Sequence, residues 1–79
     1  MTARITLYSR PGCHLCDDAR AVIERVCADL GEEYDEVFID GDPVLVERFG
    51  EEVPVTFVDG RQHDFWRVDE VRLRTALTG

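Results

Sequence analysis

Two cysteines two residues apart, in the run Cys13-His14-Leu15-Cys16, stand where an apolar segment gives way to helix-forming sequence. Ile5-Thr6-Leu7-Tyr8 reads as a strand and Ser9-Arg10-Pro11-Gly12 as the turn that leaves it. The pair therefore opens a helix. Residues three apart in a helix share one face, with Cβ atoms roughly 5–6 Å apart, which is close to the spacing a disulfide requires. The two sulfurs can join and part with little backbone movement. Unpaired N–H groups and the positive end of the helix dipole favour a thiolate at the first cysteine, so Cys13 is the expected nucleophile.

The rest of the chain organises around that junction. Ala19, Val22, Ile23, Val26, Cys27 and Leu30 recur at helical spacing and predict an amphipathic helix, with Gly31 as its C-terminal stop. Tyr34 to Ile39 reads as a second strand, and joining it in parallel to the first through this helix makes a right-handed βαβ unit. Asp42 and Pro43 supply the N-cap and first position of a short helix that Gly50 ends. Val55-Thr56-Phe57-Val58 predicts a third strand, and Asp59-Gly60 is a two-residue hairpin signal into a fourth, Arg61 to Phe65. Asp69 caps a last helix that turns Leu73, Ala76 and Leu77 inward. The order is β-α-β-α-β-β-α in one domain spanning residues 1–79.

Composition narrows the chemistry. The loop between Cys13 and Cys16 is too short to restrain an unfolded chain much, so the pair speaks for chemistry before stability. Cys27 makes the cysteine count odd, unlike the even frameworks of secreted disulfide domains, and points to a reducing, cytoplasmic setting. No basic, apolar leader and no run of about 20 apolar residues is present in the sequence. A net charge of −8, with acids crowded between Asp29 and Asp42, repels nucleic acid and anionic lipid. All nine basic residues are arginine, which excludes lysine Schiff-base chemistry. A structural zinc site wants four ligands, and neither a second Cys-x-x-Cys nor a His-x-x-x-His accompanies the first pair. The start of a calcium loop at Asp40-Gly41-Asp42 fails because Leu45 stands where glycine is needed.

With these elements in place the chain resembles the glutaredoxin branch of the thioredoxin superfamily, and within it the short bacterial glutaredoxin-like proteins. The likeness is carried by Tyr8-Ser9-Arg10-Pro11-Gly12-Cys13-His14-Leu15-Cys16, by Val53-Pro54 and by the Asp59-Gly60 hairpin with its helix. It implies an α/β, thioredoxin-like fold, a four-stranded mixed sheet with helices on both faces. It implies a cis Val53-Pro54 bond facing the active-site cysteines, and a Val53 backbone that pairs with an extended substrate segment. Substrate contacts are implied for Arg10, Gly12, His14 and Leu15, with Asp69 placed to hold an ammonium group. Two departures stand out. Glu52 replaces the Thr or Ser usual before Val-Pro, and Asp64-Phe65-Trp66-Arg67-Val68-Asp69 replaces a Gly-Gly that cradles glutathione.

The reaction so implied is thiol–disulfide exchange. Cys13 attacks a substrate disulfide, Cys16 resolves the mixed disulfide, and a thiol reductant or flavin-dependent reductase restores the dithiol. The expected partners are protein disulfides, met by a monomer with no tightly bound cofactor. Glutathione or another low-molecular-weight thiol is the candidate reductant, and the lost glycines lean away from glutathione. Arg10 is placed to favour the thiolate, against Asp17 and Asp18. No acid lies between Ile5 and Tyr8 to take the Cys16 proton, which leaves His14 or water. His14 is otherwise a solvated side chain, Cys27 a small core residue and His63 a surface one. Phe65 and Trp66 are either packing residues or a wall facing substrate. The competing functional class is a binding module that keeps the scaffold and the Val53-Pro54 groove without turnover. A metal or bridging iron–sulfur site is the remaining alternative.

Overall fold

Strand β1 (Ile5–Ser9) leads into helix α1 (His14–Leu30) and strand β2 (Tyr34–Phe38). A 3-10 turn (Ile39–Gly41) and helix α2 (Pro43–Phe49) follow, then strands β3 (Val55–Val58) and β4 (Arg61–Phe65) and helix α3 (Glu70–Thr78). This computed structural model describes residues 3–78. The element order is the one the sequence predicts. The strands lie in the order β2-β1-β3-β4, with β1 parallel to β2 and antiparallel to β3, and β3 antiparallel to β4. A helical crossover allows the parallel pair, and the Asp59-Gly60 hairpin makes the last antiparallel one. Both of its residues have positive φ, 53° and 81°, which is the geometry of a type I′ turn.

Alternation along β1 sends Ile5, Leu7 and Ser9 to one face of the sheet, where all three are fully buried. Ile5 and Leu7 join Val58, the α1 residues Ala19, Ile23, Val26 and Cys27, and the α3 residues Leu73 and Leu77 in the larger core. On the other face Ile39, Phe49 and Val55 form a smaller cluster, with Tyr8 and Phe57 against it. The Tyr8, Phe49 and Phe57 rings stand with centroids 5.1–5.9 Å apart, within the range of favourable aromatic pairing. Helices α1 and α3 thus cover one face and α2 the other. The helix ends follow local chemistry: Asp42 accepts the Val44 N–H at 2.9 Å, and Gly31 closes α1 at φ 68°. Among the described residues no helix is long and apolar enough to cross a membrane.

Two local expectations are corrected. The second strand stops at Phe38, because Ile39 turns inward to the smaller core and its carbonyl accepts the Asp42 N–H at 2.9 Å. His63 is not a surface residue. The register passes from Phe57↔Gln62 to Thr56↔Asp64, so His63 is the extra residue of a bulge. Its side chain is only 12% exposed.

Candidate active site

The redox pair is set by the way α1 begins. Gly12 adopts φ 73°, a turn conformation that suits glycine, and it delivers Cys13 to the N-cap position with φ −94° and ψ 113°. Cys13 therefore stands just before the helix and not in it. Its Sγ accepts the Cys16 backbone N–H at 3.2 Å, and its carbonyl takes the Asp17 N–H at 3.1 Å. This sulfur occupies the place a serine or aspartate oxygen usually fills, in front of the unpaired donors of a first turn. Cys13 is half-buried, whereas Cys16 is fully buried against the sheet.

Burial is the main reason the Cys16 thiol is pushed up to about 12. The hydrogen bond and charge of Cys13 act in the same direction, and an Arg10 backbone hydrogen bond and the Arg20 charge oppose them. Cys27 belongs to the larger core, and burial likewise raises its thiol, helped by the charges of Glu32 and Glu24.

Beneath the pair lies a polar cluster that sequence reasoning missed. The Ser9 hydroxyl donates to Glu36 at 2.6 Å. Arg20 reaches the same carboxylate through Nε at 2.8 Å and through its terminal nitrogen at 2.6 Å. A third bond runs from Arg20 to Asp17 at 2.8 Å. The cluster ties the end of β1 and the first turns of α1 to β2. Arg20, and then the Ser9 bond, hold the Glu36 carboxyl below its ordinary value of 4.5 against the opposing effect of burial. A depressed carboxylate stabilises the fold above its unfolded value and stops doing so as pH falls through its native one. Glu36→Gln is accordingly expected to cost about 1–3 kcal/mol near pH 7. Urea titrations should show the gap to wild type closing in acid, below pH 4.5. A gap that does not change with pH would refute this account.

The other predicted residues divide. Gly12, His14 and Leu15 are exposed around the pair. The Val53–Pro54 bond is cis, and because Val55 pairs with Tyr8 it enters β3 at the same end of the sheet as the cysteines. Pro54 is buried and Val53 half-buried. The Val53 N–H is bonded to the Phe49 carbonyl at 3.1 Å. Arg10 is committed elsewhere: its Nε donates to Asp40 at 2.7 Å. That partner lies 30 residues away and could not be read from the sequence. The Asp69 carboxylate accepts the Arg72 N–H at 3.0 Å as the cap of α3. Trp66 has φ 64°, so the backbone keeps a glycine-like conformation where the resembling family has glycine. The Phe65 side chain lies outside the described residues.

A mixed four-stranded sheet with a dithiol at the start of its first helix and a cis-proline entering its third strand defines a thioredoxin-fold protein of the glutaredoxin type. The chain belongs to the family Glutaredoxin-like domain (DUF836), which it matches over residues 4–78. It is 34% identical to an uncharacterised protein of Mycobacterium tuberculosis, across 94% of this chain and 81% of that one. Protein XcR50 of X. campestris has a crystal structure that superposes with a TM-score of 0.77 at 40% identity, covering 92% of this chain and 93% of the other. The glutaredoxin of Archaeoglobus fulgidus shares the fold, with a TM-score of 0.68 at 17% identity over 98% of this chain and 88% of its own. Membership of the glutaredoxin-like family and the Cys13/Cys16 pair support a redox role of the thioredoxin-superfamily kind.

Proposed function

We propose that the chain is a dithiol–disulfide oxidoreductase that reduces protein disulfides in the cytoplasm, acting as a monomer without a bound cofactor. The observation that carries this reading is the Cys13 sulfur at the N-cap, accepting the Cys16 N–H, with the Cys16 thiol buried behind it. Cys13 thiolate attacks one sulfur of the substrate. A Cys13–substrate bond forms, the substrate disulfide breaks, and the departing sulfur takes the electron pair and a proton. Cys16 then gives up its proton to His14 or water and attacks the Cys13 sulfur, releasing the second substrate thiol. Two electrons have passed to the substrate and the protein holds a Cys13–Cys16 disulfide. Two equivalents of a low-molecular-weight thiol, or one turnover of a flavin-dependent reductase, return them.

The order of events helps the resolving step. Both the hydrogen bond and the charge of Cys13 hold the Cys16 proton on. Once Cys13 is tied up in the mixed disulfide it no longer exerts either, so Cys16 ionises more readily when its thiolate is required. Glutathione is the less favoured donor. Glu52 adds like charge beside an anionic tripeptide, and Phe65 and Trp66 stand where glycines would admit its backbone.

Equilibration in thiol–disulfide buffers of graded potential, read by mass after alkylation, tests the reading. One two-electron transition linking Cys13 to Cys16 is expected, with Cys27 alkylated throughout. Absence of that transition would leave the scaffold as a binding module.

A further inference from the structure

The core does not account for Trp66. Its φ of 64° lies in the left-handed region, where a bulky side chain is an outlier, and 52% of its surface is exposed. Glycine would take the same backbone without strain. Yet the residue is firmly held. Its backbone N–H points to the carbonyls of Pro54 at 2.8 Å and Glu52 at 3.2 Å, and its indole N–H donates to the Glu51 carbonyl at 3.0 Å. All three bonds end on the segment that carries the cis-proline, so the indole is fixed to the edge of the redox site. Strain retained at an exposed aromatic beside a reactive centre is the mark of a functional position.

Next to the indole opens a groove of about 230 Å³ whose apolar wall is Leu15, Ala19, Val22, Trp66 and Val68, with Asp18 and Arg67 completing its lining. Leu15 belongs to the Cys-x-x-Cys run itself, so the groove lies beside the cysteine pair. Its volume is below the roughly 300–1,000 Å³ of sites that enclose small-molecule ligands, and it suits one side chain of an extended peptide. The charge around the groove is mixed with an acidic excess: Asp18 and Arg67 both line it, and Glu51 and Glu52 lie on the segment to which Trp66 is bonded. Among the described residues Asp18, Glu51 and Glu52 make no salt bridge, whereas Arg10 and Arg20 are taken by Asp40, Asp17 and Glu36. Arg67 is the one basic residue of the groove lining.

Resting on the oxidoreductase reading, we propose that this groove receives an apolar side chain adjoining the substrate's cysteine, in an extended protein segment that also presents arginine or lysine to Asp18, Glu51 and Glu52. Glutathione has neither feature: its side chains are small or charged and it carries two carboxylates.

Three symmetric peptide disulfides test the proposal, with the cysteine flanked by Leu and Arg, by Leu and Glu, or by Gly and Arg, alongside bis(2-hydroxyethyl) disulfide. The Leu/Arg peptide should be reduced about five- to tenfold faster than the Leu/Glu peptide, a gap that salt narrows. It should outpace the Gly/Arg peptide about tenfold through loss of the apolar contact. Trp66 is the sole tryptophan. In the Cys16→Ser protein its emission should shift to the blue when the Leu/Arg peptide is trapped on Cys13, and stay unchanged with the Gly/Arg peptide. Equal peptide rates, a preference for Leu/Glu, or an unmoved emission would each overturn the docking proposal while reduction of the small disulfide upholds the redox reading. Failure to reduce any of the four would overturn both.

Discussion

Cys13→Ser is expected to lower disulfide turnover by roughly a thousandfold or more, while Cys16→Ser halts the cycle halfway and accumulates a substrate-linked adduct. The asymmetry follows from where the two sulfurs sit. A serine hydroxyl at the N-cap would keep the hydrogen bond from the Cys16 N–H, so the helix start should survive. What is lost is the sulfur that the proposed reaction uses as its nucleophile. Cys16 cannot stand in for it, being fully buried with its thiol pushed up to about 12. Cys27→Ser should leave turnover as it is. The check is a turnover assay under a fixed excess of donor thiol, with intact mass of a parallel mixture lacking donor thiol to count trapped adducts. More than about a tenth of wild-type activity in Cys13→Ser would mean that another group performs the attack.

The largest expected loss of stability comes from Ile23→Ala. Ile23 is fully buried at the middle of α1, in the cluster that joins that helix to the sheet and to α3. Removing its outer carbons forfeits transfer free energy and leaves a cavity, together about 2–5 kcal/mol. A domain of 79 residues has only about 4–12 kcal/mol to lose. At roughly 4–8 °C per kcal/mol for a chain of this size, the melting temperature should fall by about 8–40 °C. Val71→Ala is the control. That residue is 73% exposed on α3, and its replacement should change stability by less than about 0.5 kcal/mol. Similar melting temperatures for the two variants would contradict the core described above.

Features written in neighbouring residues were legible in advance. The caps at Asp42, Asp69 and Gly31 and the hairpin at Asp59-Gly60 depend on side chains within a few positions. The strand-helix-strand order needs only periodicity. What escaped depends on distant partners or on a register. The bulge that draws His63 inward exists only in the pairing of β3 with β4. Ser9, Arg20 and Glu36 come from three elements and looked unremarkable singly. Nothing near Arg10 in the sequence announces its partner Asp40. Trp66 hid its backbone conformation, since the usual signal for positive φ is glycine. The motif locates the cysteines, but Cys13 stands at the cap and not in the helix because of the turn at Gly12, which spacing alone does not reveal.

The length of α1 has one more effect. Cys16 and Cys27 ride the same buried stripe eleven positions apart, about 16 Å along the helix axis at 1.5 Å per residue. A disulfide tolerates Cα separations only up to about 7 Å. Within one chain the third thiol is thus quarantined from the other two by three turns of rigid helix. The one intramolecular disulfide this helix permits is therefore between Cys13 and Cys16.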